Sequence, residues 1–317
     1  MKKLIALVLA GLNISMVSAA AAEPVKLSGD TSIKYERDTG DDAASGTMYS
    51  FRLMAEKELG AGWALYARLG GQYATQPSLS DYNTDPAAYG PDKKSVMALD
   101  EFGLTYKKNG LVYKLGRQDV TVGTTALLYS RPDTNIGRHG LVDGLAVSGT
   151  AGVVELTGLA AREDNPGSAE DNKVYAFRTG YNPTDNLNVG LTLGRYQDND
   201  NGNTNHWAVD GTYKFGKNSL TAEYAKSNSN TDNKAYAIIC NHAFDDKAAV
   251  YVTGFRVETN GDMGKQSDFD NDNKGVYYGL TYQLNEVDSL EVVYKDQKTI
   301  SGGQKNTKLE ATFSHSF

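Results

Sequence analysis

Residues 99–118 read Leu99-Asp100-Glu101-Phe102-Gly103-Leu104-Thr105-Tyr106-Lys107-Lys108-Asn109-Gly110-Leu111-Val112-Tyr113-Lys114-Leu115-Gly116-Arg117-Gln118. Phe102, Leu104 and Tyr106 recur at every second position before Asn109-Gly110, and Leu111, Tyr113 and Leu115 do the same after it. Such alternation puts apolar side chains on one face of a strand and polar ones on the other, and an Asn-Gly pair between two such runs is a tight-turn signal. The stretch predicts two antiparallel strands joined by a short turn, with Glu101 and Lys114 on the polar face.

The same period runs from Val25 to the end of the chain. Tyr49, Phe51, Leu53 and Ala55 alternate with Ser50, Arg52 and Glu56, and Trp63, Leu65, Ala67 and Leu69 with Tyr66, Arg68 and Gln72. Further on, Leu187/Val189/Leu191/Leu193, Trp207/Val209/Tyr213/Phe215, Tyr251/Phe255/Val257 and Val276/Tyr278/Leu280/Tyr282 repeat the pattern. There are about 16 such segments, most of about 9 to 12 residues, the length a tilted strand needs to cross a bilayer. Seven short turns rich in Gly, Asn, Asp or Pro, such as Gly60-Ala61-Gly62 and Gly216-Lys217-Asn218, alternate with eight longer polar loops, among them 76–95, 119–142 and 260–273. That connectivity fits 16 strands with both termini on the short-turn side.

Composition agrees with this reading. The 317 residues include 33 Gly and 20 Tyr but only 7 Pro, 2 Trp and 1 Cys, a β-rich balance that disfavours a helical fold. No stretch beyond the extreme N-terminus is apolar enough to cross a bilayer as a helix. A net charge of −7 supplies no excess of Lys and Arg to neutralise phosphates, so nucleic acid is not an expected partner. The single Cys240 excludes an intramolecular disulfide framework and a multi-cysteine metal site, and it reads as a small lipid-facing or interface residue on the twelfth strand.

A soluble β-sandwich or propeller would also alternate, with its apolar face as a core. Here the opposite face carries Arg52, Arg68, Glu101, Lys114, Arg178, Asp210, Glu223, Arg256, Glu291, Lys295 and Glu310 in mid-strand. In a closed barrel those charges line water while the apolar face meets lipid, so none needs to be desolvated. Tyr35, Tyr49, Tyr73, Tyr106, Tyr129, Tyr181, Tyr196 and Tyr282 near strand ends fit interfacial aromatic girdles. The expected fold is all-β: an antiparallel transmembrane β-barrel of about 16 strands.

Lys2 and Lys3, the apolar run Leu4 to Val17 and the small residues Ala19 to Ala22 stand in the order of a secretory signal peptide. Residues 1–22 are expected to be removed on export, leaving 23–317 as a single barrel domain. At the other end Leu309-Glu310-Ala311-Thr312-Phe313-Ser314-His315-Ser316-Phe317 alternates and closes on an aromatic. It resembles the C-terminal strand of Gram-negative outer-membrane barrels, with Phe313 and Phe317 in the positions of the assembly signal and His315 where an aromatic or aliphatic residue is commoner.

Residues 99–118 themselves resemble the fourth and fifth strands of the general-diffusion porin family. That resemblance implies a homotrimeric 16-stranded barrel in the outer membrane, set in outer-membrane lipid and lipopolysaccharide and assembled by the barrel assembly machinery. It also implies a long third external loop folded into the lumen, and a water-filled channel for passive diffusion of ions and small hydrophilic solutes. The connection from Asp119 to Val142 is the longest in the chain and is part apolar, with Leu127, Leu128, Tyr129 and Ile136, as a loop packed on a wall would be. Family members set acidic loop residues against basic wall residues. On that model Arg52, Arg68 and Lys114 on the wall, with Arg131, Asp133 and Arg138 on the loop, are the candidate constriction. Acidic loop tips (Asp38, Asp41, Asp42; Asp262, Asp268, Asp270, Asp272) would draw cations to the mouth while the wall basics favour anions, which leaves the sign of selectivity open.

Other chemistries find little support. The four histidines, His139, His206, His242 and His315, are scattered, and neither a His-Glu-x-x-His nor a Gly-x-Ser-x-Gly motif occurs, so an enzyme is not expected. Asp270-Asn271-Asp272-Asn273-Lys274-Gly275 imitates the start of a calcium loop but places Lys274 at the fifth position and lacks the distal Glu. No cofactor or metal is expected. A substrate-specific channel for a sugar or organic anion is the alternative reading, although Tyr66 and Tyr196 are the only obvious inward aromatics to guide a sugar.

Overall fold

The computed structural model describes residues 24–39, 43–76, 79, 94–165 and 170–317; the expected signal peptide, Asp41 and Asp42 lie outside these. Eighteen strands follow in order: β1 (Lys26–Asp38), β2 (Ala44–Gly60), β3 (Trp63–Ala74), β4 (Ser95–Lys108), β5 (Leu111–Gln118), β6 (Val120–Val122), β7 (Tyr129–Arg131), β8 (Val142–Ala151) and β9 (Val154–Glu163) in the first half, then β10 (Lys173–Thr184), β11 (Leu187–Asp198), β12 (Gly202–Phe215), β13 (Asn218–Ser227), β14 (Lys234–Ala243), β15 (Ala248–Val257), β16 (Asn273–Gln283), β17 (Asp288–Thr299) and β18 (Lys305–Ser316). Sixteen of them form one closed barrel in which each pairs antiparallel with the next barrel strand along the chain, β5 with β8 across the third long connection and β18 back to β1, and β6 and β7 form a separate small hairpin.

Closure is made by β1 on β18, in a register that sets Ile33 beside Phe313 and Tyr35 beside Ala311. Gly29 and Phe317 exchange two backbone hydrogen bonds of 2.9 Å, and the Phe317 ring stacks on Phe51 at 6.1 Å. With no open edge, every strand finds partners for its backbone groups on both sides, a condition for crossing hydrocarbon. The turn between β4 and β5 forms as its residues dictate: Asn109 and Gly110 have φ of 54° and 80°, the two positive values of a type I′ hairpin. A Cβ on Gly110 would meet the Thr150 carbonyl of the adjacent turn, so glycine serves both the turn and the close approach.

The two faces of the sheet are inverted relative to a soluble protein. Large apolar side chains such as Leu27, Ile33, Leu65, Met97, Leu193 and Trp207 are exposed on the outside, while Arg68, Glu101, Asp210 and Glu223 are buried inside. Cys240 is exposed in line with Tyr236 and Ile238 on β14, as expected of an outward residue. Tyr35, Tyr49, Tyr73, Tyr181 and Tyr282 also face outward, as girdle residues should.

Tyr129 and the faces of β15 differ from the sequence reading, and Tyr196 takes the inward of the two places that reading gave it. Tyr129 and Tyr196 are buried inside the barrel, where both hydroxyls donate to Glu163 at 2.8 and 2.9 Å. On β15 the faces are reversed: Phe255 and Val257 point inward and are buried, which turns Arg256 to the other face to pair with Glu258 at 3.0 Å. The cause is the connection between β15 and β16 (residues 258–272, the seventh long loop). It brings Phe269 against Phe255 and Tyr277 at ring distances of 4.9 and 6.0 Å and so makes the inner face there apolar.

The connection between β5 and β8 (residues 119–141, the third long loop) contains β6 and β7. Val120, Val122, Leu127, Leu128 and Tyr129 join an apolar cluster with Ala161, Ala208, Ala225, Ala235 and Ala237 of the wall. Alanine at those inward positions leaves the depth that the loop fills, so one sector of the interior is packed as a core.

Candidate functional site

The third loop is held at four places, each by residues the strand register brings together. On one side Arg52 of β2 stands opposite Asp30 of β1, and its Nε and Nη2 donate to Asp30 Oδ1 at 3.0 and 2.9 Å. Its Nη1 donates to the Asp133 carbonyl at 2.7 Å and lies 3.6 Å from the Asp133 carboxylate. Beside it, a register shift in the β3–β4 pairing inserts Asp100 next to Glu101, so that both carboxylates face Arg68. Arg68 grips Asp100 with two bonds of 2.9 and 3.2 Å, pairs with Glu101 at 2.6 Å, and donates to the carbonyls of Asp133 and Asn135 at 2.6 and 2.8 Å. Lys114 bridges Glu101 at 3.2 Å and Asp119 at 2.8 Å.

The second holding point uses Arg131, which pairs with Glu163 at 3.2 Å and donates to the His139 carbonyl at 3.2 Å. Burial pushes the Tyr129 phenol well above its ordinary pKa, with Arg131 opposing and Glu163 adding, so Tyr129 serves Glu163 as a neutral donor. The third is the hairpin tip. Thr124 Oγ1 donates to Asp210 at 2.6 Å, and Thr125 donates through its amide and hydroxyl to Glu223 at 2.7 and 2.8 Å. Asp210 and Glu223 are cross-strand partners on β12 and β13, and Arg178 offsets their repulsion with a bond of 2.6 Å to Asp210.

The seventh loop supplies the fourth. Met263 donates its amide to the Leu128 carbonyl at 2.8 Å, Ser130 to Gln266 at 2.5 Å, and Asp268 to Ala126 at 3.1 Å. The two loops are thus tied edge to edge by their backbones. This partnership was not read from the sequence, where Asp262, Asp268 and Asp270 stand as mouth residues. Asp262 is in fact buried, accepting from the Ser267 amide at 3.2 Å and Asn271 Nδ2 at 2.6 Å, and Asp270 reaches inward to Lys308 at 3.5 Å. The short Ser267-x-Phe269 run inside a polar loop was the one available signal.

Burial raises Asp262 to about 6, against the hydrogen bonds from Ser267 and Asn271 that favour its ionised form. The docked loop therefore prefers the protonated acid. Its contribution is present below the ordinary carboxylate pKa and is lost as pH rises through about 6, a difference on the order of 3 kcal/mol. Amide-exchange protection at Met263 and Ser267, corrected for intrinsic rates, is expected to fall between pH 5 and pH 7, and Asp262→Asn is expected to flatten that dependence. Equal protection across the range in the unaltered chain would show that the carboxyl titrates in water.

Of the six constriction candidates, Arg52, Arg68 and Asp133 come together at one point, Lys114 lies beside them through Glu101, and Arg131 holds the other end of the loop at Glu163. Arg138 sits in a short 3-10 turn (Arg138–Gly140), and its side chain lies outside the described residues. Three cavities flank the loop: one of about 180 Å³ lies between the hairpin and β9 to β11, and two more lie on its other sides. The larger of these two, about 890 Å³, runs between the loops and the wall of β14 to β18 past Arg131, Thr134 and Asn135; the smaller, about 430 Å³, lies below Arg52, Arg68 and Asp133 towards Phe317. No metal-binding group of three or more His, Cys, Asp or Glu occurs among the described residues.

A family model described as "S-layer protein SlpA, beta-barrel domain" matches residues 145–299, slightly less than half of the chain. No curated protein sequence matches. Among solved structures the chain is similar to Salmonella typhi OmpF in complex with daunomycin, at 13% identity and a TM-score of 0.61, over 92% of this chain and 97% of that one. It is similar to a triple mutant of Rhodopseudomonas blastica porin, at 13% identity and a TM-score of 0.59, over 93% and 100%. A loop-deletion mutant of OmpT, an outer membrane protein of Vibrio cholerae, aligns at 14% identity and a TM-score of 0.58, over 93% and 99%. At such identities the likeness carries the fold: a 16-stranded barrel of the porin type.

Proposed function

We propose that this protein is an outer-membrane porin, a water-filled channel through which ions and small hydrophilic solutes pass by diffusion, with no catalytic role. The observation that carries this reading is the 890 Å³ cavity beside the third loop, lined largely by charged and polar side chains from both loops and six wall strands. On this reading the loop narrows the lumen to one side, and Arg52, Arg68, Lys114, Arg131 and Asp133 form the bracket that sets its position. The chain is exported with residues 1–22 as its signal, enters the outer membrane with Phe313 and Phe317 as the assembly signal, and works as a homotrimer in contact with lipid and lipopolysaccharide.

Purified, folded mature protein in a planar bilayer is expected to give stepwise, ohmic openings that scale with bulk salt conductivity. Silence from protein that still shows heat-modifiable migration would overturn the channel reading.

A further inference from the structure

The two larger cavities along the passage are lined, among the described residues, by six basic and eight acidic side chains. The two signs also differ in how far they are exposed. Every one of the six bases is tied to a carboxylate: Arg52 to Asp30, Arg68 to Asp100, Lys114 to Glu101, Arg131 to Glu163, and Lys34 and Lys295 to Glu310 at 3.2 and 2.5 Å. The most open of them, Lys114, exposes 27% of its side chain. The acids are partnered as well, Asp133 with Arg52 at 3.6 Å, Asp119 with Lys114 at 2.8 Å and Asp270 with Lys308 at 3.5 Å, but they stand further out into the water. Asp133 exposes 67% of its side chain, Asp270 42% and Asp119 39%, and Asp268 and Glu291 are also exposed.

A base paired with an acid presents a dipole to the passage, whose field falls faster with distance than that of a net charge, and because acids outnumber bases on the lining the pairs leave a negative surplus. An exposed carboxylate acts over about a Debye length, roughly 8 Å at physiological salt, and low-dielectric walls concentrate its field in the water between them. Wall arginines that in sequence argue for anions are spent on fastening the third loop.

We infer that the passage selects for cations, and that Asp133, Asp270 and Glu291, rather than the wall arginines, set that preference. The permeant class is small inorganic cations and small hydrophilic amines, with anions of like size held back. This inference rests on the channel reading proposed above.

The test is the zero-current potential of the mature protein across a KCl gradient. Potassium is expected to pass several-fold more readily than chloride, and the Asp133→Asn, Asp270→Asn, Glu291→Gln triple variant is expected to bring the ratio close to one while openings persist, because Arg52 and Arg68 hold Asp133 by its main-chain carbonyl, which the substitution keeps. Raising the salt from about 0.1 M to about 1 M shortens the Debye length from about 10 Å to about 3 Å and should shrink the ratio in the unaltered chain. A ratio at or below one in the unaltered chain overturns the inference and leaves the channel standing. So does a ratio the triple variant leaves unchanged. Absence of openings from folded protein overturns the channel reading, and the selectivity falls with it.

Discussion

Replacing Arg68 by Met is expected to destabilise the barrel by about 3–5 kcal/mol, the range for removing one member of a buried ion pair. Arg68 is buried with 4% of its side chain exposed, between Asp100 at 0% and Glu101 at 2%. Without the guanidinium, among the described residues Asp100 keeps the Gly137 amide at 3.2 Å and Glu101 keeps Lys114, so one carboxylate stays buried with little compensation. The carbonyls of Asp133 and Asn135 lose their donor as well, which frees this end of the third loop. The temperature at which the folded band converts to the unfolded one on a gel should drop, and the double variant Arg68→Met, Asp100→Asn should recover part of the loss because the orphaned charge is gone. If the single variant migrates and melts as the unaltered chain does, the buried cluster is not under the strain its geometry describes.

Arg68 also shows what could be read from the chain alone. Its inward side was legible from the parity of Trp63, Leu65 and Leu69, since a two-residue period divides a strand into faces with no knowledge of the fold. Its partners were not legible, because they depend on a register shift that brings the adjacent Asp100 and Glu101 to the same side. The strand number, the Asn109-Gly110 turn and the long connection after β5 were equally plain, each being local. The failures on Phe255, Val257 and Tyr129 share one origin. Alternation says that two faces differ but not what covers them, and a loop returning into the lumen makes an apolar inner face look like an outer one. The charge balance followed the same rule: Arg131 and Asp133 are two residues apart, yet one is bound to Glu163 and the other faces water.

The second large effect concerns the apolar seat of the third loop. Leu127 and Leu128 are fully buried between the hairpin and the alanine-lined wall, and the Leu128 carbonyl receives the Met263 amide that ties in the seventh loop. Leu128→Asp places a carboxylate in a fully buried apolar cluster, at a cost of several kcal/mol. The sixteen-stranded ladder does not depend on this residue, so the cost falls on loop docking rather than on the barrel. The variant is expected to insert and remain heat-modifiable, to become cleavable by protease between residues 119 and 141, and to carry an open-channel current with markedly greater noise. Leu128→Met conserves volume and apolarity and is expected to change none of these by more than about 1.5 kcal/mol in docking. Quiet currents and an uncut loop in Leu128→Asp would mean that Arg68, Glu163 and Glu223 hold the loop without help from its apolar face. The passage would then owe its width to hydrogen bonds alone, and substitutions at Glu223 and Glu163 would be the ones to widen it.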